Sequence, residues 1–106
     1  MIETPSRTAR MRKPLHNGER TALERLIEIA QRDTGQSRIV AGFLLAWWNA
    51  PECGGFDLTD LWAVDGPIAA DMLTVFAFLT MCRTYPDTLG YGPQFAALLR
   101  AWRAVS

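Results

Sequence analysis

The chain is poor in the residues most chemistry needs. It has one histidine, His16, and two cysteines, Cys53 and Cys82, in no CxxC spacing. A zinc site takes about four N, S or O ligands, and no such set is spaced for one here, so no metal and no cofactor are expected. A thiolate nucleophile at Cys53 would need a base within reach, and His16 lies far from it in sequence. The pair Gly54-Gly55 runs into Phe56 rather than Gly-Lys-Ser, so there is no phosphate loop. No stretch alternates apolar and polar residues as a strand does. The longest apolar run, residues 72–82, is far short of the roughly 20 residues a membrane span needs. The N-terminus is basic but lacks the apolar core of a secretory leader, and a cytoplasmic protein with reduced thiols is expected.

What is present is a core-forming composition. Of 106 residues, 49% are hydrophobic, enough for one domain without staples. Eleven basic and eleven acidic side chains cancel formally, which gives no net pull toward nucleic acid or anionic membrane. The charges are unevenly placed. Positive charge gathers near the N-terminus, whereas Glu52, Asp57, Asp60, Asp65 and Asp71 stand in a stretch without Lys or Arg.

Residues 1–18 have no apolar period and contain Pro5, Pro14, Asn17 and Gly18, which predicts a flexible basic arm preceding a helical domain at 19–106. Four main helices and one short helix are expected. The first spans 19–34, with Leu23, Leu26, Ile27 and Ala30 on one stripe and Gly35 closing it. The second spans 36–50, apolar nearly all round, with Ser37 as a cap and Pro51 as its stop. A short helix capped by Asp57 or Thr59 carries Leu58, Leu61 and Trp62. The third main helix runs from Gly66 to about Arg83 behind an Asp65 cap, with Pro67 in its first turn. The fourth starts at Pro93, with Phe95, Leu98, Leu99 and Trp102 inward. All four tryptophans fit helical spacing among Leu and Phe and are assigned to the core. The exception would be Trp47-Trp48: adjacent indoles point about 100° apart, so unless the second helix is central, one is left as a partner hot spot. The expected fold is all-α, a compact bundle.

Two surfaces could carry function. Arg10, Arg12, Lys13, Arg20, Arg25, Arg32 and Arg38 could neutralise phosphates, with Tyr85 and Tyr91 as exposed stacking platforms. Alternatively Glu52, Asp57, Asp60 and Asp65 could dock a basic protein. As carboxylates, Asp57 and Asp60 also fit plain capping and dipole roles better than an acid/base pair.

The segments DTGQSRIVAGFLLAWWNA, ECGGFDLTDLWAVD, DMLTVF and YPDTLGYG resemble an uncharacterised family of short helical proteins from proteobacterial mobile elements, phages and plasmids, over about residues 21–103. The resemblance carries no catalytic residue. It implies a binding protein without enzymatic activity. The chain is also similar in kind to anti-CRISPR inhibitors of type I systems. A partner of that kind would be a subunit of the interference complex or the single-stranded DNA it exposes, with neither membrane nor small-molecule substrate. A regulatory or protein-interaction partner within a plasmid or phage operon is the alternative.

Overall fold

The computed structural model describes residues 15–103, and the expectations for Arg10, Arg12 and Lys13 and for most of the arm lie outside them. Among the described residues there are four α-helices and one 3-10 helix, and no strand. The α-helices are α1 (Asn17–Ala30), α2 (Gly35–Cys53), α3 (Gly66–Met81) and α4 (Gly92–Arg103), and the 3-10 helix is Leu58–Ala63. The all-α bundle read from the sequence is the fold observed.

The domain begins earlier than expected. Leu15 is buried in the core and α1 starts at Asn17, so residues 15–18 belong to the domain rather than to an arm. Asn17 and Gly18 are tolerated because they occupy the first turn, where backbone N–H groups have no intrahelical partner anyway. Glu19 reaches back to accept from the His16 N–H at 2.9 Å, half of a capping box and a negative charge at the positive end of the helix dipole.

Helix α1 also ends earlier, at Ala30, and Gly35 does not close it. Thr34 is taken by the next helix: its hydroxyl accepts from the Ser37 N–H at 3.0 Å, making Thr34 the N-cap of α2 in place of Ser37. The end of α1 is satisfied from elsewhere, since Trp102 donates its indole N–H to the Ala30 carbonyl at 2.8 Å.

Helix α2 breaks at Asn49 (φ −165°, ψ 79°), two residues before Pro51, and resumes for one turn to Cys53. Pro51 has no N–H for the Trp47 carbonyl and its ring crowds that position. The Asn49 side chain caps the resumed turn by accepting from the Glu52 N–H at 3.3 Å. Cys53 is therefore buried at a helix end, not in a loop. Gly54 follows at φ 101°, a conformation that suits glycine at a helix C-terminus.

Helix α1 packs on both α2 and α3, and α4 packs on α2. Phe95 of α4 is fully buried, and the rings of Trp47 and Trp48 both meet it edge to face, at 5.9 and 5.8 Å. That shared anchor is how two adjacent indoles both reach the core although neither is fully buried. Trp47 satisfies its N–H on the Thr84 carbonyl at 3.0 Å.

Helix α3 lies at the edge of this arrangement although it is apolar almost throughout. Met72, Val75 and Phe78 face inward, whereas Leu73 and Phe76 point outward. Its one charge, Asp71, is buried and accepts both the Nε and an Nη of Arg25 on α1, each at 2.8 Å.

Phe95→Ala removes the ring on which two tryptophans rest. A loss of about 3–5 kcal/mol is expected, measured by urea unfolding, with a matching change in tryptophan fluorescence of the folded state.

Candidate interaction surface

The basic residues proposed to contact phosphate are largely engaged within the fold. Arg25 is held by Asp71 in a bidentate pair, which raises its pKa further through the hydrogen bond and the adjacent negative charge. Arg20 donates to the Tyr91 hydroxyl at 3.0 Å, and that hydroxyl donates to Glu24 at 2.8 Å. Tyr91 is thereby buried rather than an exposed stacking ring. Burial first, and then the bond to Glu24, push its pKa above 10.0, with Arg20 opposing. Arg32 meets Glu28 loosely at 3.6 Å, the i,i+4 pair its spacing implies. Arg38 is exposed. Tyr85 is exposed as expected.

The acidic residues divide into separate roles. Glu52 is exposed in the turn that ends α2, and Asp65 precedes α3 without bonding its own helix through its side chain. Asp57 caps the 3-10 helix, accepting from the Thr59 hydroxyl at 2.8 Å and the Thr59 N–H at 2.9 Å. Those two bonds, the hydroxyl first, hold its carboxyl below the ordinary 3.8. Asp57 and Asp60 share a recess of about 370 Å³ with Arg38 and Arg103. Acidic and basic candidates thus meet in one place. Arg103 donates its Nε to the Cys53 carbonyl at 2.8 Å and an Nη to the Trp102 carbonyl at 3.2 Å, which ties the end of α4 to the end of α2. No Ser, Thr, Cys or His lines the recess. Among the described residues no cluster of His, Cys, Asp and Glu could hold a metal. No helix among the described residues is long and apolar enough to cross a membrane.

The most exposed apolar surface is one the sequence does not reveal. Trp62 is 86% exposed and Leu58 70%, both on the 3-10 helix, where burial was expected. Leu73 is 67% and Phe76 55% exposed on α3. A six-residue 3-10 helix has about three residues per turn, too tight and short to turn Leu58, Leu61 and Trp62 all inward. Its base is fixed by Phe56, whose ring meets Phe43 edge to face at 5.5 Å. Behind it an apolar groove of about 620 Å³ opens between α2 and α3, lined by Phe43, Trp47, Leu58, Leu61, Leu73 and Phe76 among others. Monomeric proteins rarely leave contiguous apolar surface of this kind bare without an interaction to serve.

The profile of a family of unknown function, DUF7673, matches residues 20–103. Neither a curated protein nor a solved structure matches the chain. The chain belongs to the DUF7673 family.

Two outcomes follow. Arg25→Ala leaves the mostly buried Asp71 carboxylate without its partner and is expected to lower the unfolding temperature, an effect moderated because Arg25 is itself 56% exposed. Thermal unfolding checks this, and loss of any binding by that variant must be read against it. The Asp57 carboxyl, followed by NMR against pH, titrates below 3.8 and moves up toward that value in Thr59→Ala. Because its folded pKa is depressed, the cap contributes at neutral pH and is lost as pH falls through that lowered value.

Proposed function

We propose that the chain is a non-enzymatic protein-binding domain whose contact point is the spur formed by the 3-10 helix. The observation that carries this is Trp62, 86% exposed on the same short helix as Leu58, 70% exposed, an element held in place by the Asp57 cap and by Phe56. Tryptophan is among the commonest interface hot spots because it supplies a large apolar area at little conformational cost. Asp57 and Asp60 precede it on the same element, and the stretch from Glu52 to Cys82 contains no Lys or Arg. The complementary partner is a protein surface with an apolar pocket ringed by basic side chains.

The bonds of Arg20 to Tyr91 and of Arg25 to Asp71 favour a protein partner over single-stranded DNA. The finer reading, supported by the resemblance in kind described above, is an anti-CRISPR protein of a mobile element. It would occupy a subunit of a type I interference complex and obstruct recruitment of the helicase-nuclease. Obstruction needs one interface and no catalysis.

The test is co-elution of the purified chain with the subunits of a type I interference complex, together with phage plaque counts in a CRISPR-active host. Trp62→Ala is expected to weaken association about thirtyfold or more, as a hot spot of 2 kcal/mol implies. Asp60→Lys, which leaves the Asp57 cap in place, is expected to weaken it as well, and circular dichroism of both variants should be unchanged. Co-elution indifferent to Trp62 would overturn the spur as the contact point. No co-elution and unchanged plaque counts would overturn the anti-CRISPR reading.

A further inference from the structure

The bare face of α3 borders the spur in one groove but has a pattern of its own. Ala69, Leu73, Phe76 and Thr80 are spaced four, three and four apart, which places them on one stripe of a helix. Leu73 and Phe76 are the exposed large residues of that stripe. Its polar groups need nothing from outside: Thr80 donates its hydroxyl to the Ala77 carbonyl at 2.7 Å, and on the flank Thr74 donates to Ala70 at 3.0 Å. The helix's only charge, Asp71, is on the opposite side and taken by Arg25. The stripe is therefore dry, uncharged and uncovered.

The stripe is also palindromic. Read from either end it runs small, large, large, small. Two copies laid antiparallel across a two-fold axis near residues 74 and 75 would set Leu73 against the other copy's Phe76 and Ala69 against its Thr80. The small positions let the helix axes approach. The charges at the two ends extend the symmetry. Asp65 precedes α3 and Arg83 follows it, both exposed, with opposite sign and nearly equal distance from that axis. Antiparallel pairing brings each Asp65 to the other copy's Arg83 and opposes the helix dipoles favourably. Parallel pairing would instead stack Asp65 on Asp65 and Arg83 on Arg83.

The geometry points to a second copy of this chain as the occupant of this face: α3 pairs antiparallel with α3 of the other copy in an isologous dimer. A 16-residue helix supplies a strip about 24 Å long. Phe43 and Leu79 adjoin this strip in the wall of the groove; one helix face is smaller than the roughly 800 Å² per partner of standard interfaces, so a weak dimer is expected. Leu58 and Leu61 of the spur border the same groove, so the pairing covers that side of the spur, whereas Trp62 does not line the groove.

Sedimentation velocity across about 1 to 200 µM, a range that captures weak association, tests this on the full chain. A concentration-dependent doubling of mass is expected. Leu73→Glu and Phe76→Glu, at exposed sites, should each give a monomer with unchanged circular dichroism. Arg83→Asp should weaken the dimer about tenfold by placing like charges together at both ends, and Asp65→Arg with Arg83→Asp should restore it. Trp62→Ala should leave the dimer intact, which separates this result from the fate of the spur. A monomer at about 200 µM, or a dimer untouched by Leu73→Glu and Phe76→Glu, would overturn self-pairing. A dimer indifferent to Arg83→Asp, or one that the Asp65→Arg, Arg83→Asp exchange fails to restore, would overturn the antiparallel register.

Discussion

The pair between Arg25 and Asp71 decides which way α3 faces. A helix that is apolar on nearly every side can bury any of its sides at similar gain, since hydrophobic burial is not directional. The hydrophobic effect brings α3 to α1 but does not set its rotation. One carboxylate accepting two parallel N–H bonds from a guanidinium does set it, because bidentate geometry fixes both partners. With Asp71 turned toward α1, Met72, Val75 and Phe78 go inward, and Leu73 and Phe76 are left outside. The bare face of α3 is thus a consequence of an interaction on its far side.

The other ties show the same division of labour. Burial gathers the helices, and single polar contacts between distant segments fix their ends. Trp102 closes the end of α1, Arg103 holds the last turn of α2, and Tyr91 joins the start of α4 to Arg20 and Glu24. These bonds link residues far apart in sequence and each uses a group that would look like surface in isolation. That is why several arginines available for a ligand on paper are committed to the fold.

The amphipathic helices were legible. The stripe of Leu23, Leu26, Ile27 and Ala30 in α1, and the inward Phe95 and Leu98 of α4, follow helical spacing and are buried as read. Helix boundaries were less so, because Thr34 can extend α1 or cap α2, and the choice rests on the buried Ser37 beside it. The outward side of α3 was not legible at all: no periodicity marks a face on a helix with so few polar residues, and the pairing of positions 25 and 71 leaves no local trace. Trp62 was misread for a related reason. A run of Leu and Trp predicts burial only where the element is long enough to lay them on one side.

Four tryptophans in so small a domain have an optical consequence. Trp47, Trp48 and Trp102 are partly shielded against Phe95 or bonded to backbone carbonyls, whereas Trp62 stands in water. Its indole emits at the red edge of the band and is open to collisional quenchers that reach the other three poorly. The chain therefore carries its own reporter at the one place where contact with another molecule would change the solvent around an indole.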